Sequence, residues 1–145
     1  MIPAQKIAAI LGGPEILGHP VNNLMDLDEV VAKGIPRTAF DALVDQLAPR
    51  SDEVTRVSLR YRIVPRATYQ RARRLNQQHS ETVERLAHIL AIIRTLWGDD
   101  DAVRGFLLTT HPELNGKTPL DAALTEIGGR QVEEIIERGM HGLPV

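Results

Sequence analysis

Glu81–Trp97 reads ETVERLAHILAIIRTLW, and the spacing of its apolar residues decides the fold. Val83, Leu86, Ala87, Leu90, Ile93 and Trp97 recur at three- and four-residue steps, the period of a helix. Ile89, Ile92 and Leu96 fill the flanks, so the C-terminal half is apolar nearly all round. Such a helix is buried on more than one side. It is predicted to be the spine of an all-α fold, capped by Ser80 and apolar enough to offer a dimer surface as well.

Outward from this spine, the same period recurs and no strand pair stands out. Toward the C-terminus, Gly98 stops the spine and Asp99-Asp100-Asp101 starts a helix carrying Val103, Phe106 and Leu107. Thr118-Pro119-Leu120-Asp121 reads as a capping box with Pro at the first helical position, giving a helix over 119–124. Gly128-Gly129 is expected to separate it from a last helix over 130–138, whose stripe is Val132, Ile135 and Ile136 and which Gly139 ends. Met140–Val145 has no periodic place in a core.

Toward the N-terminus, Gln5–Leu11 is a short apolar helix stopped by Gly12-Gly13. Asp26 is the expected N-cap of the next helix, with Glu29 reaching back and Gly34 beyond its end. Pro36 then opens a helix whose Phe40, Leu43, Val44 and Leu47 face the core, and Pro49 closes it. Ser51 caps a helix over 52–59, and Pro65 opens a second over 66–75. The stretch Arg60–Val64 between them lacks the small residue usual at a tight turn, so an irregular turn is expected there.

The composition narrows the function classes. With 145 residues and 43% apolar content, one domain or two very small ones can hold a core without staples. The absence of cysteine excludes disulfide scaffolds, thiolate metal sites and cysteine nucleophiles. The N-terminal apolar run is too short and interrupted for a signal peptide, and no segment reaches the ~18 apolar residues that span a bilayer. A soluble cytoplasmic protein is expected, with no membrane partner.

Motifs for chemistry fail one by one. Gly116-Lys117-Thr118 ends like a phosphate loop, but the loop's first glycine would fall at His111. The tripeptide delivers a helix cap. No two of the five histidines lie four apart on one helix, so a metal site has no support. The carboxylate runs sit at helix starts and on solvated faces. The chain is read as a non-enzyme with no cofactor.

Charge is distributed unevenly. Residues 1–49 carry net −3 and residues 75–145 net −5, whereas 50–74 hold eight arginines against Asp52 and Glu53, net +6. A basic island in an acidic chain is a local interaction surface. Two short helices with a tight connection, the second rich in Arg, follow the layout of a helix-turn-helix reader. Arg62, Arg66, Thr68, Tyr69, Arg71, Arg73 and Arg74 are the expected DNA contacts, since Arg, Thr and Tyr suit phosphates and base edges.

Several segments together resemble the Xre/MbcA/ParS antitoxins, partners of RES-type toxins. Gly34-Ile35-Pro36 with Ala39, Leu43 and Leu47 resembles the opening of the family's Xre-like region, and Arg66–Arg71 its recognition helix. Leu96-Trp97-Gly98-Asp99, Phe106–Thr109, Leu114–Asp121, Gly128–Val132 and Arg138–Gly142 resemble successive motifs of its toxin-binding region. Phe106 stands where the family has Trp, and Thr110-His111 replaces its Pro-Asn.

The resemblance implies an Xre-like helix-turn-helix region within residues 1–78 and a toxin-binding part over 79–145. It implies a homodimer that represses its own operon on operator DNA. It also implies that the C-terminal part covers the active site of a toxin that consumes NAD or transfers ADP-ribose from it. Arg138, Met140, His141, Leu143, Pro144 and Val145 are the expected toxin contacts. A stand-alone helix-turn-helix regulator with a C-terminal dimerisation or ligand domain is the alternative.

Overall fold

In a computed structural model, which describes residues 1–143 and 145, the chain is built of ten α-helices and one 3₁₀ turn, with no strand among the described residues. The helices are α1 (Ala4–Ile10), α2 (Gly13–Leu17), α3 (Leu24–Lys33), α4 (Arg37–Leu47), α5 (Glu53–Ile63), α6 (Arg66–Arg71), α7 (Gln77–Leu96), α8 (Asp100–Leu108), α9 (Pro119–Ala122) and α10 (Glu126–Met140); the 3₁₀ turn is Pro112–Leu114. The all-α expectation holds. No helix among the described residues is long and apolar enough to cross a membrane.

The spine is α7. It packs against α1, α3, α4 and α5 and against α8 and α10. Val83, Leu86, Ala87, Ile89, Leu90, Ala91 and Ile93 are all buried, inside a single core that extends from Ala4 to Ile136. The apolar circumference is therefore consumed within one chain, and Leu96 and Trp97 are also partly buried against this core. The expected boundary between residues 78 and 79 falls in the first turn of this shared helix.

Several helix ends differ from expectation, each for a local reason. The N-cap of α3 is Asn23, whose Oδ1 accepts from Asp26 N–H at 2.9 Å while Asp26 Oδ2 accepts from Asn22 N–H at 2.8 Å. The box expected at Asp26 thus sits three residues earlier. Asp52, one residue after Ser51, caps α5 by accepting from Thr55 N–H at 3.0 Å. The Thr55 hydroxyl, donating to Asp52 Oδ2 at 2.5 Å, and then this backbone bond hold its carboxyl below the usual carboxylate range. Asn76 caps α7 in place of Ser80, by a bond from His79 N–H. At Thr118 the expected cap is present, accepting from Asp121 N–H at 3.1 Å.

Gly128-Gly129 does not break the chain. α10 starts at Glu126 under a Thr125 cap and runs through both glycines to Met140. The two glycines mark close approach: a Cβ on Gly128 would overlap the carbonyl oxygen of Ala122, and one on Gly129 would meet Cδ of Arg85 at 2.7 Å. Gly139 lies inside the helix, and the stop is Gly142 at φ +76°. There Gly142 N–H donates to Gly139 O (3.1 Å) and Leu143 N–H to Arg138 O (2.9 Å), the paired bonds of a Schellman ending.

The α7–α10 contact also holds two titrating groups. His88 Nδ1 lies 3.2 Å from Glu133 Oε1, and this bond, with the charges of Glu133 and Glu84, raises the imidazole above 6.5 against the opposing effect of burial. Burial is also what raises Glu84 above 4.5, helped by Glu133 and opposed by His88 and Arg85. Both shifts favour the protonated form in the folded state. The contribution of Glu84 is full below 4.5 and that of His88 below 6.5, and each is lost as pH rises through the raised value. Thermal unfolding should show a melting temperature that falls between about pH 6 and pH 8. His88→Gln should flatten that fall, and an equally steep profile in the variant would exclude His88 as its source.

Candidate functional site

Two surfaces gather the expected contact residues. The first is the end of the C-terminal half. Trp97, Phe106 and His111 form a row of rings, with centroids 5.3 Å and 6.3 Å apart in succession. His111 then caps the 3₁₀ turn, its Nδ1 accepting from Glu113 N–H at 3.1 Å. This turn sets Glu113 against α10, where Arg138 Nη2 donates to Glu113 Oε2 at 2.6 Å. The guanidinium holds the Glu113 carboxyl below its usual range, and the carboxylate raises Arg138 in return.

Around that ion pair lies an open cavity of about 460 Å³, lined by His111, Pro112, Glu113, Arg138, Leu143 and Val145. Arg138, Leu143 and Val145 are thus brought together. Met140 and His141 are exposed at the end of α10 and do not line the cavity; His141 Nε2 lies 3.8 Å from Glu137. Pro144 lies outside the described residues. Leu143 is 54% exposed, Met140 45% and Val145 40%.

Sequence reasoning missed the neighbouring surface. A second cavity of about 430 Å³ shares Glu113 with the first and is bordered by Leu114, Lys117, Ala122, Ile127 and Gln131. Ile127 is 72% exposed. The signal was present: five residues before Val132, Ile127 is out of phase with the stripe of Val132, Ile135 and Ile136.

The second surface is the basic island. The segment expected to be an irregular turn, Arg60–Val64, is mostly the end of α5, which continues to Ile63; only Val64 and Pro65 separate it from α6. α6 ends at Arg71, four residues earlier than expected, because the following residues pair with the entry to α4. Arg37 N–H donates to Arg73 O at 2.9 Å and Leu75 N–H to Ile35 O at 2.8 Å, forming a bridge at Pro36 and Arg74. Arg73 and Arg74 are therefore beside the helix and not on it.

Some candidate side chains are already engaged within the fold. Arg62 reaches across to Asp121 with two bonds from Nη1, 2.6 Å and 2.8 Å, joining α5 to α9. The Tyr69 hydroxyl donates to Asp41 Oδ1 at 2.6 Å, and its ring packs edge-on against Phe40 and Tyr61. Burial, then the Asp41 bond and charge, push this phenol up to about 12. Both residues brace the fold. Thr68 is partly buried, and Arg74 Nη1 bonds Gly34 O at 3.0 Å while the residue stays exposed.

The remaining arginines form the outward patch. Arg66 stacks on Tyr61, 4.2 Å from the ring centroid, and Arg71 and Arg73 are exposed. Arg37 joins them, donating to the carbonyls of Tyr69 and Gln70 at the end of α6, where a cation complements the helix terminus. Elsewhere in the island charge is neutralised: Arg56 pairs with Asp45 and Glu53, and Arg50 with Asp45. The patch is smaller than the net +6 of the sequence suggests.

Among the described residues, no group of three or more His, Asp or Glu side chains is placed to hold a metal ion. No curated protein matches the chain. Residues 94–142 match the family model described as the antitoxin Xre/MbcA/ParS C-terminal toxin-binding domain. The matched segment begins in the last turn of α7, takes in the Trp97–Phe106–His111 row, both cavities' helical walls and the Arg138–Glu113 pair, and ends at Gly142. Over that C-terminal third, the chain carries a domain similar to the toxin-binding domain of the Xre/MbcA/ParS antitoxins.

Proposed function

We propose that this chain is an antitoxin that neutralises a RES-type toxin, one that hydrolyses NAD or transfers ADP-ribose from it, by covering the toxin's active site with its C-terminal end. It works as a homodimer in the cytoplasm, and it represses its own operon through an Xre-like part within residues 1–78, leaving 79–145 to the toxin. The observation that carries this reading is the meeting of Arg138, Leu143 and Val145 at one open cavity beside the end of the toxin-binding domain. Apolar side chains left exposed on a helix end gain most from burial by a partner. The acidic balance of residues 75–145 suits a cleft that otherwise receives a pyrophosphate.

Deleting residues 141–145 tests the first part. Growth rescue from the co-expressed RES-type toxin should be lost, and affinity for an inactive form of that toxin should fall at least tenfold. Full rescue by the truncated chain rules out the tail as the blocking element.

For the DNA part, Arg71→Ala with Arg73→Ala removes two outward cations without touching the braces at Arg62 and Tyr69. Operator affinity should drop, and the slope of log K against log salt should shrink by about 2 per protomer. An unchanged slope moves DNA contact away from α6.

A further inference from the structure

The tail alone is too small to hold a protein partner. It offers five residues from His141 onward, whereas a stable interface takes roughly 20–30 residues a side and buries about 800 Å² on each partner. More of the toxin-binding domain must therefore be covered, and the covered surface must run on from the tail. The two cavities of the domain share Glu113, so one strip leads from Leu143 past Arg138 and Glu113 to Gln131 and Ile127. Ile127 and Arg138 stand eleven residues apart on α10, about 16 Å of helix rise.

We propose that the groove beside Ile127 is a second anchoring site for the toxin, taking an apolar side chain from the toxin's surface while the tail occupies the active site. This rests on the reading of the chain as a toxin-binding antitoxin. Leu114 and Ala122 lie buried at the groove, and Ile127 borders it as the most exposed large apolar side chain among the described residues of 94–145. Glu113, Lys117 and Gln131 surround it with polar groups. An apolar centre inside a polar rim is the anatomy of a protein–protein contact. Its place within residues 94–142, and its continuity with the tail cavity, assign the toxin as occupant in preference to a second copy of this chain.

Ile127→Asp in the full chain tests the site against an inactive RES-type toxin of the same operon. Because the side chain is 72% exposed, the melting temperature should stay within about 2 °C of the unmodified chain, while toxin affinity falls at least tenfold. Val54→Asp, still more exposed at 82% but on α5 outside the matched domain, should leave affinity unchanged. If the unmodified chain binds and truncation at residue 141 weakens binding, but Ile127→Asp binds as tightly as before, the second anchor is overturned and the tail reading stands. If Ile127→Asp instead halves the solution mass with toxin affinity intact, the groove belongs to a second copy, which also overturns it. An unmodified chain that fails to bind the toxin removes both readings.

Discussion

Gly128→Ala is expected to lower the melting temperature by about 10 °C, because the added methyl has nowhere to go. α9 and α10 are joined by three residues, Ala123–Thr125, and the start of α10 is fixed there by Gly128 N–H donating to Thr125 Oγ1 at 3.1 Å. A Cβ on Gly128 would overlap the carbonyl oxygen of Ala122 and stand 2.8 Å from its carbonyl carbon. Both are backbone atoms. Leu120, Ala122 and Ala123 are buried, so α9 cannot withdraw without opening the core. Overpacking of this kind costs about 3 kcal/mol, and a chain of this size loses roughly 3 °C per kcal/mol.

Gly129→Ala is the internal comparison. Its Cβ meets only the flexible stem of Arg85, so the same methyl should cost far less. Differential scanning calorimetry of the two variants checks the ordering, and a Gly128→Ala transition within 3 °C of the unmodified chain removes the close contact from the account. The consequence reaches the binding surface, since Ala122, Ile127 and Gly128 border the second cavity. A shift of α10 against α9 would change its shape even where the fold survives.

What the sequence conveyed depended on whether the signal was local. The stripes of α4 and α10, the spine and the Thr118 cap were legible because helical period and capping are short-range properties. Gly128-Gly129 was misread because glycine pairs mark both helix breaks and close approaches, and only the packed neighbour, Ala122, distinguishes them. α6 was drawn too long for the same reason: nothing within 66–75 says that Arg73 and Leu75 will pair with Arg37 and Ile35. Arg62 and Tyr69 show the limit for the site. Their types suit DNA, but Asp121 lies 59 residues from Arg62 and Asp41 lies 28 from Tyr69, beyond any motif. Arg138, Leu143 and Val145 meet at one cavity because a helix end and the residues after it carry all three.

Ser80→Ala should cost about 2–3 kcal/mol, or roughly 8 °C in melting temperature, although it removes a single oxygen atom. Ser80 is fully buried on α7, where its hydroxyl accepts from Ile35 N–H at 2.8 Å and donates to Leu75 O at 3.3 Å. The same two residues are bonded directly, Leu75 N–H to Ile35 O. Ser80 thus closes a small buried network that pins the entry to α4 against the segment leaving α6. Without the hydroxyl, Ile35 N–H loses its acceptor in a place that water does not reach, and an unpaired buried donor costs about 1–3 kcal/mol by itself. Thr82→Ala is the control. Its hydroxyl bonds only Gln78 O one turn back on the same helix, so its loss should change stability by less than about 1 kcal/mol. Because Arg73 and Arg74 ride on the pinned segment, Ser80→Ala should also speed amide exchange at Leu75 and Arg37, whose N–H groups hold the bridge. Exchange that stays as slow as in the unmodified chain would mean that backbone pairing alone fixes the basic patch, with the serine adding stability but no positioning.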